Sequence, residues 1–209
     1  MDRTKIISVL VLLLTACGPR AIRVGSKNFT EQVVLGEIIA QHLENRLHEK
    51  VARSLNLGGT LFAQQAIMSR EIDLYPEYSG TALSVVLKDP HANLQSEYAR
   101  RFHLAWLDPL GINNGFAMVV RKSLGLKTLT QAAQTPWTLG VGYEFEQRAD
   151  GLAALKAAYG LQLKGPPKTM DLGLLYKALE QGQVDMIAAN ATDGILSKGE
   201  FQVLDDDKH

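Results

Sequence analysis

Two distant stretches of the chain carry one pattern, and that echo constrains the fold more than any other feature. A-I-M-S-R-E-I-D-L at 66–74 and A-L-E-Q-G-Q-V-D-M at 178–186 both read as a helix end, a polar turn, then apolar-Asp-apolar opening a strand. A second pair matches in the same order: V-G…E-Q at 24–32 and V-G…E-Q at 141–147. Matching pieces in matching order predict two α/β lobes. Strands alternating with helices predict parallel layers in each. In open sheets of that kind ligands sit outside the carboxyl ends of strands. The cleft loops are therefore expected at 25–30, 58–60, 75–81, 142–148 and 189–194.

The first of these turns follows a short apolar run, 22–24. Asn28 stands three residues before Glu31, the spacing of a capping box. A helical pattern follows, with Leu35, Ile38, Ile39, Leu43 and Leu47 on one face. Unpaired N–H groups at such a helix start can hold an anion, and Lys27 adds positive charge beside them. Any α/β protein has turns of this kind, however, and most bind nothing.

The N-terminus reads as a targeting segment over 1–16. Arg3 and Lys5 precede an apolar run at 6–14 that is too short to span a bilayer as a helix. L-T-A-C at 14–17 looks like a bacterial lipobox, and Cys17 is the only cysteine of the 209 residues. Acylation of Cys17 would anchor the chain to a membrane, in the periplasm or on the outer face of the cytoplasmic membrane. The remainder has no cysteine and must rest on its packed core. Formal net charge is zero, so no basic face advertises nucleic acid.

Further along, a strand is expected at 51–57 and a helix at 61–69 with Phe62, Ala66 and Ile67 inward. A short strand at 72–75 stops at Pro76. Helices follow at 82–87 and from the cap Asn93 to about His103. The apolar, β-prone run 116–121 reads as the crossing strand into a second unit. That unit continues as helix 129–133, strand 137–141, helix 148–158, strand 161–163, helix 171–180, strand 184–188 and strand 201–204. Asp205, Asp206 and Asp207 read as a solvated tail. The boundaries expected are thus 17–112 for lobe 1, 113–205 for lobe 2 and 206–209 for the tail.

No HExxH, GxSxG, P-loop or CxxC motif occurs, and the five histidines lack ligand spacing, so no metal and no cofactor is expected. Glu144 and Glu146 in a cleft loop could do acid–base work, though loop glutamates are usually just solvated. The loops do offer Tyr75, Tyr78, Phe116, Tyr143 and Phe145, with Lys27 and Arg148 as fixed cations. A quaternary ammonium has no N–H and is held by aromatic faces, at ~0.5–2 kcal/mol each. A carboxylate wants a guanidinium fork or helix-terminal amides. The set would suit a zwitterion, yet from composition alone core packing accounts for these rings as well.

Six motifs in order carry a resemblance: G-S-K-N-F-T-E-Q at 25–32, L-N-L-G-G-T at 55–60, E-I-D-L-Y-P-E-Y-S-G-T at 71–81, W-L-D-P-L-G-I-N-N at 106–114, E-F-E-Q-R-A-D-G at 144–151 and A-T-D-G-I-L at 191–196. Together they resemble the substrate-binding proteins of glycine betaine/carnitine/choline ABC transporters, the OpuAC-type family. The resemblance implies a two-lobed periplasmic-binding-protein type II fold whose cleft captures a compatible solute for a membrane permease. By motif position it makes Lys27, Thr81 and Arg148 carboxylate contacts and Tyr78 one wall of an aromatic cage. Two cage positions depart from the family: Phe116 keeps a ring without the hydroxyl, and Asn190 offers an amide in place of a ring. The family also continues past His209, which implies that the C-terminal part of lobe 1, the return segment, is missing here. Other readings stay open: a different zwitterionic or amino-acid-like ligand, a periplasmic dehydratase-like enzyme on the same scaffold, or a remnant that binds nothing.

Overall fold

The computed structural model describes residues 21–208; the expected targeting segment and Cys17 lie outside the described residues. The chain opens with β1 (Arg23–Gly25), α1 (Thr30–Leu47), β2 (Ala52–Ser54) and α2 (Thr60–Met68). β1 and β2 pair in parallel, Val24 opposite Arg53, and Val24 bridges Leu74 on its other side. The strand expected at 72–75 is reduced to that single bridge.

α1 fully buries Gln32, Gly36 and Ala40; of the apolar face expected, Ile39 and Leu43 pack partly buried against the Val24 core, while Ile38 and Leu47 are exposed. Close approach decides this. A Cβ on Gly36 would stand 2.8 Å from the Leu55 side chain and 3.3 Å from the Gly25 carbonyl oxygen. Small residues let the helix backbone lie on β1, and that sets its rotation. The capping box does not form either. Phe29 is the N-cap residue, with no side-chain cap.

α3 starts at Ser79–Thr81 and continues as a wider π-type turn, Ala82–Leu87. α4 (Leu94–Phe102) is capped as expected by Asn93, whose Oδ1 accepts from Ser96 N–H at 3.0 Å. Tyr98 of α4 packs edge-on against both Phe102 and Trp106. Trp106 thereby ties down the extended segment that leads to the next sheet.

That sheet has five strands in the order β5-β4-β6-β3-β7: β3 (Phe116–Arg121), β4 (Leu139–Val141), β5 (Lys168–Thr169), β6 (Met186–Asn190) and β7 (Phe201–Val203). β4 pairs in parallel with β5 and β6, but β3 runs antiparallel to both β6 and β7. The expectation of purely parallel layers fails at β3, because the crossing strand enters the sheet from the other lobe. Alternation then divides the core. Met118 and Val120 join Leu139, Val141 and Met186 on one face, while Ala117 and Val119 join Ile187, Leu175 and Leu179 on the other.

α5 (Leu129–Ala132) begins at a full capping box, Thr128 with Gln131. α6 (Tyr143–Gln147) follows β4. The helix expected over 148–158 is broken: the backbone at Gly151 is non-helical, and α7 (Ala154–Tyr159) starts beyond it. A Cβ on Gly151 would lie 2.1 Å from the Phe145 carbonyl oxygen, so only glycine fits. α8 (Leu172–Glu180) is capped by Asp171. The acidic end is docked rather than free. Asp205 bridges Thr128, Asp206 accepts from the Tyr159 hydroxyl, and Asp207 accepts from Thr130 N–H at 3.1 Å.

Candidate functional site

Residues of both lobes line an open cleft of about 1510 Å³. Its walls come from the starts of α1, α2, α3, α6 and α8, which follow strand ends or turns. Lys27, Tyr78, Thr81, Phe116, Arg148 and Asn190 all line it. Residues far apart in sequence thus meet at one place.

The floor is a buried polar network. The Lys27 ammonium donates to Glu77 Oε1 at 2.5 Å and to Thr60 Oγ1 at 3.1 Å, and Lys27 is only 2% exposed. Glu77 Oε1 also accepts from Tyr78 N–H at 2.7 Å, and its Oε2 lies 3.2 Å from the Tyr75 hydroxyl. Two buried charges can persist only when paired and hydrogen-bonded like this. Lys27 was expected to meet an anionic ligand; its charge is instead committed to Glu77. Its Nζ also stands 5.1 Å from the centroid of the Tyr78 ring.

Tyr78 is fixed at both ends. Phe29 stacks beside its ring at 6.2 Å, and its hydroxyl donates to the Glu31 carboxylate. Glu31 serves this contact in place of the helix cap read from its spacing. Burial is the main reason that the Tyr78 hydroxyl titrates well above the usual tyrosine range, followed by the Glu31 carboxylate.

Across the cleft, Arg148 stands at the break between α6 and the Gly151 kink. Asp150 takes one edge of its guanidinium, with Nε at 2.7 Å and Nη2 at 2.6 Å. The other edge reaches the opposite lobe, where Nη1 donates to Thr81 Oγ1 at 3.3 Å. The guanidinium carbon lies 5.3 Å from the Phe116 centroid, and Phe116 packs edge-on against Phe145 at 4.8 Å. The Arg148 guanidinium holds the Asp150 carboxyl below the usual aspartate range. Glu144 Oε1 is 3.8 Å from Arg148 Nη1, without a hydrogen bond.

Asn190 ends β6 directly opposite Phe116, and its N–H donates to Asp193 at 3.1 Å. Phe62, expected inward, is 70% exposed on the cleft wall. Gly58, at φ +115°, turns the chain ahead of it. Tyr143 is exposed and Phe145 buried, so only the former presents an open ring. Glu146 holds the Thr169 hydroxyl. Phe29 lies in the loop expected at 25–30, but sequence reasoning missed Gln64, Asn114 and Asp150 as cleft residues. Asp150 and Asn114 stand inside motifs already singled out; Gln64 had no local signal.

Aromatic rings, one guanidinium with an edge toward the opposite lobe, and amides around an open two-lobed cleft define a solute-binding class of protein. Comparison with known proteins is specific about which. Residues 20–209 match the family described as the substrate binding domain of ABC-type glycine betaine transport systems, and the chain belongs to that family, OpuAC. It is 29% identical over 198 residues to the ergothioneine transport permease/ergothioneine binding protein EgtU of Helicobacter pylori, covering 88% of this chain and 35% of that one. It is 30% identical over 203 residues to the carnitine transport binding protein OpuCC of Listeria monocytogenes, covering 90% of this chain. The chain spans 66% of the length of OpuCC. Among solved structures, apo YehZ of Escherichia coli superposes with a TM-score of 0.57 at 29% identity, over 90% of this chain and 75% of that one. The two-lobed periplasmic-binding-protein fold is thereby established. Among the described residues no helix is long and apolar enough to cross a membrane.

Proposed function

We propose that this chain captures a small quaternary-ammonium solute of the glycine betaine, choline or carnitine type and delivers it to the permease of an ABC importer. Lobes 17–112 and 113–205 close around the solute, and a lipid on Cys17 holds the protein at the periplasmic or outer face of a membrane. The observation that carries the reading is the Arg148–Thr81 contact across the cleft, flanked by the Tyr78 and Phe116 rings. A solute carboxylate meets Arg148 and Thr81, with Asp150 yielding part of the guanidinium. The trimethylammonium group meets the free ring faces, Tyr78 first, with Phe116 and Asn190 closing the wall. Lys27 orders the floor through Glu77.

A thermal-shift series on residues 18–209 with glycine betaine, choline, carnitine and proline betaine tests this. A solute at 100 times its dissociation constant stabilises by about 2.7 kcal/mol. Arg148→Ala and Tyr78→Ala should each weaken binding at least tenfold while melting like the parent without solute. No shift with any of the four solutes would overturn the function, and parental affinity in both variants would overturn the site.

A further inference from the structure

The cleft contains polar atoms that a fully methylated betaine cannot satisfy. Asn114 Oδ1 and Glu144 Oε1 are shielded from solvent and accept no hydrogen bond, Glu144 Oε1 having only a long ion pair with Arg148 Nη1 at 3.8 Å, and both residues line the cleft. Gln64 lines it too, is 7% exposed, and leaves Nε2 without a partner while its Oε1 lies 3.3 Å from the Tyr75 hydroxyl. Buried polar atoms are almost always paired, and each one left unpaired costs about 1–3 kcal/mol. Such atoms in a binding cleft point to what the ligand brings.

The two acceptors come from separate segments of the chain. Asn114 belongs to the segment that crosses between the sheets, next to Gly115, whose carbonyl accepts from Ala191 N–H at 2.9 Å beside Asn190. Glu144 leans from α6 onto the turn before α2, with its Oε2 3.1 Å from where a Cβ on Gly59 would stand. An acceptor needs an N–H or O–H. Glycine betaine has neither: its nitrogen is fully alkylated and its carboxylate only accepts. The rings also have part of their π surface in use, since Lys27 faces Tyr78 and Arg148 faces Phe116. Asn190 adds an amide where a further ring would strengthen cation–π binding.

We infer that the solute carries, besides its charged ends, a neutral group that donates a hydrogen bond, and that Asn114 and Glu144 read that group. The specificity is for a hydroxylated or N–H-bearing betaine over a donor-free one. A site built to bond an O–H discriminates against the analogue lacking it because its own buried groups are then left unpaired. This rests on the betaine reading of the cleft and goes one step further, to the residues that choose among betaines.

Carnitine and γ-butyrobetaine differ only in one hydroxyl, so calorimetric titration of the chain with both isolates the effect. Carnitine should bind at least tenfold tighter. Asn114→Leu should shrink that ratio to threefold or less, and Glu144→Leu should shrink it as well. Glu144 is partly exposed, so its variant keeps the comparison available should Asn114→Leu fail to fold. Equal affinities for the two probes in the parent chain would overturn the inference and leave the betaine reading standing. So would a ratio that survives in both variants. Binding of neither probe, nor of glycine betaine, would overturn both together.

Discussion

The two lobes build the same turn and support it differently. In the first, the Ala66 carbonyl accepts from Glu71 N–H at 2.8 Å and Ile72 N–H at 3.3 Å; in the second, the Ala178 carbonyl accepts from Gln183 at 2.9 Å and Val184 at 3.3 Å. The following residues match as well. Asp73 and Leu74 donate to Arg23 O at 2.8 and 3.4 Å, and Asp185 and Met186 donate to Thr138 O at the same two distances. Each aspartate then turns back to accept from the residue whose carbonyl its own N–H uses, Arg23 at 2.8 Å and Thr138 at 3.3 Å. Beyond the turn the likeness ends. Ile187 sits in a sheet with apolar clusters on both faces and Val184 packs into one of them, whereas Val24 packs with Ala40 and Val51 in a far smaller cluster. Exposed apolar side chains gather in the first half: Val34, Ile38, Leu47, Leu61 and Phe62. One local solution is thus held by hydrophobic burial in the second lobe and by polar networks in the first.

The sharpest way to break this contrast is to remove a member of the Lys27–Glu77 pair. Lys27→Met strands the buried Glu77 carboxylate and should cost about 3–5 kcal/mol. Urea titration would show it, and adding Glu77→Gln should recover much of the loss. The second lobe should answer instead to truncation of its core. Ile187→Ala, fully buried, should cost about 2–5 kcal/mol, while Ile38→Ala on the exposed face of α1 should stay within about 0.5 kcal/mol. A subtler probe is the turn itself. Gly182 has φ +69° with open space around its Cβ position, and Arg70 holds φ +59° at the matching place. Gly182→Ala should therefore cost about 1 kcal/mol through the backbone alone, and Arg70→Gly should be tolerated in the same melts. Smallest of all is a pH effect in the second lobe. The Lys164 ammonium holds the Asp185 carboxyl below its usual range. A depressed carboxylate stabilises above its unfolded pKa, so this contribution is present above about pH 4 and fades as pH falls through the lowered value. Asp185→Asn should flatten the acid limb of the stability curve there.

Much of this was legible along the chain because its causes are local. Asn93 and Asp171 each cap a helix with their own side chains. The apolar run at 116–121 became the crossing strand, and the paired motifs at 66–74 and 178–186 became turns with matching hydrogen bonds. Motif positions also brought six chosen residues to one cleft, since strand ends and turns in this fold point the same way. Two departures share one cause, a partner far away in sequence. Glu31 has capping-box spacing, but the Tyr78 hydroxyl reaches it across 47 residues. Lys27 is engaged by Glu77, 50 residues on, so its charge serves the floor.

What the sequence alone determined is which stretches supply most of the helices and strands, because caps, turn residues and periodicity act within a few residues. It also determined that two such units exist. Only the tertiary structure decided which face α1 buries, that Phe62 opens to the cleft, that β3 runs antiparallel, and that Arg148 meets Thr81. Each of those depends on how closely two backbones approach or on which buried charge finds its counterpart, and packing of the whole chain alone sets both.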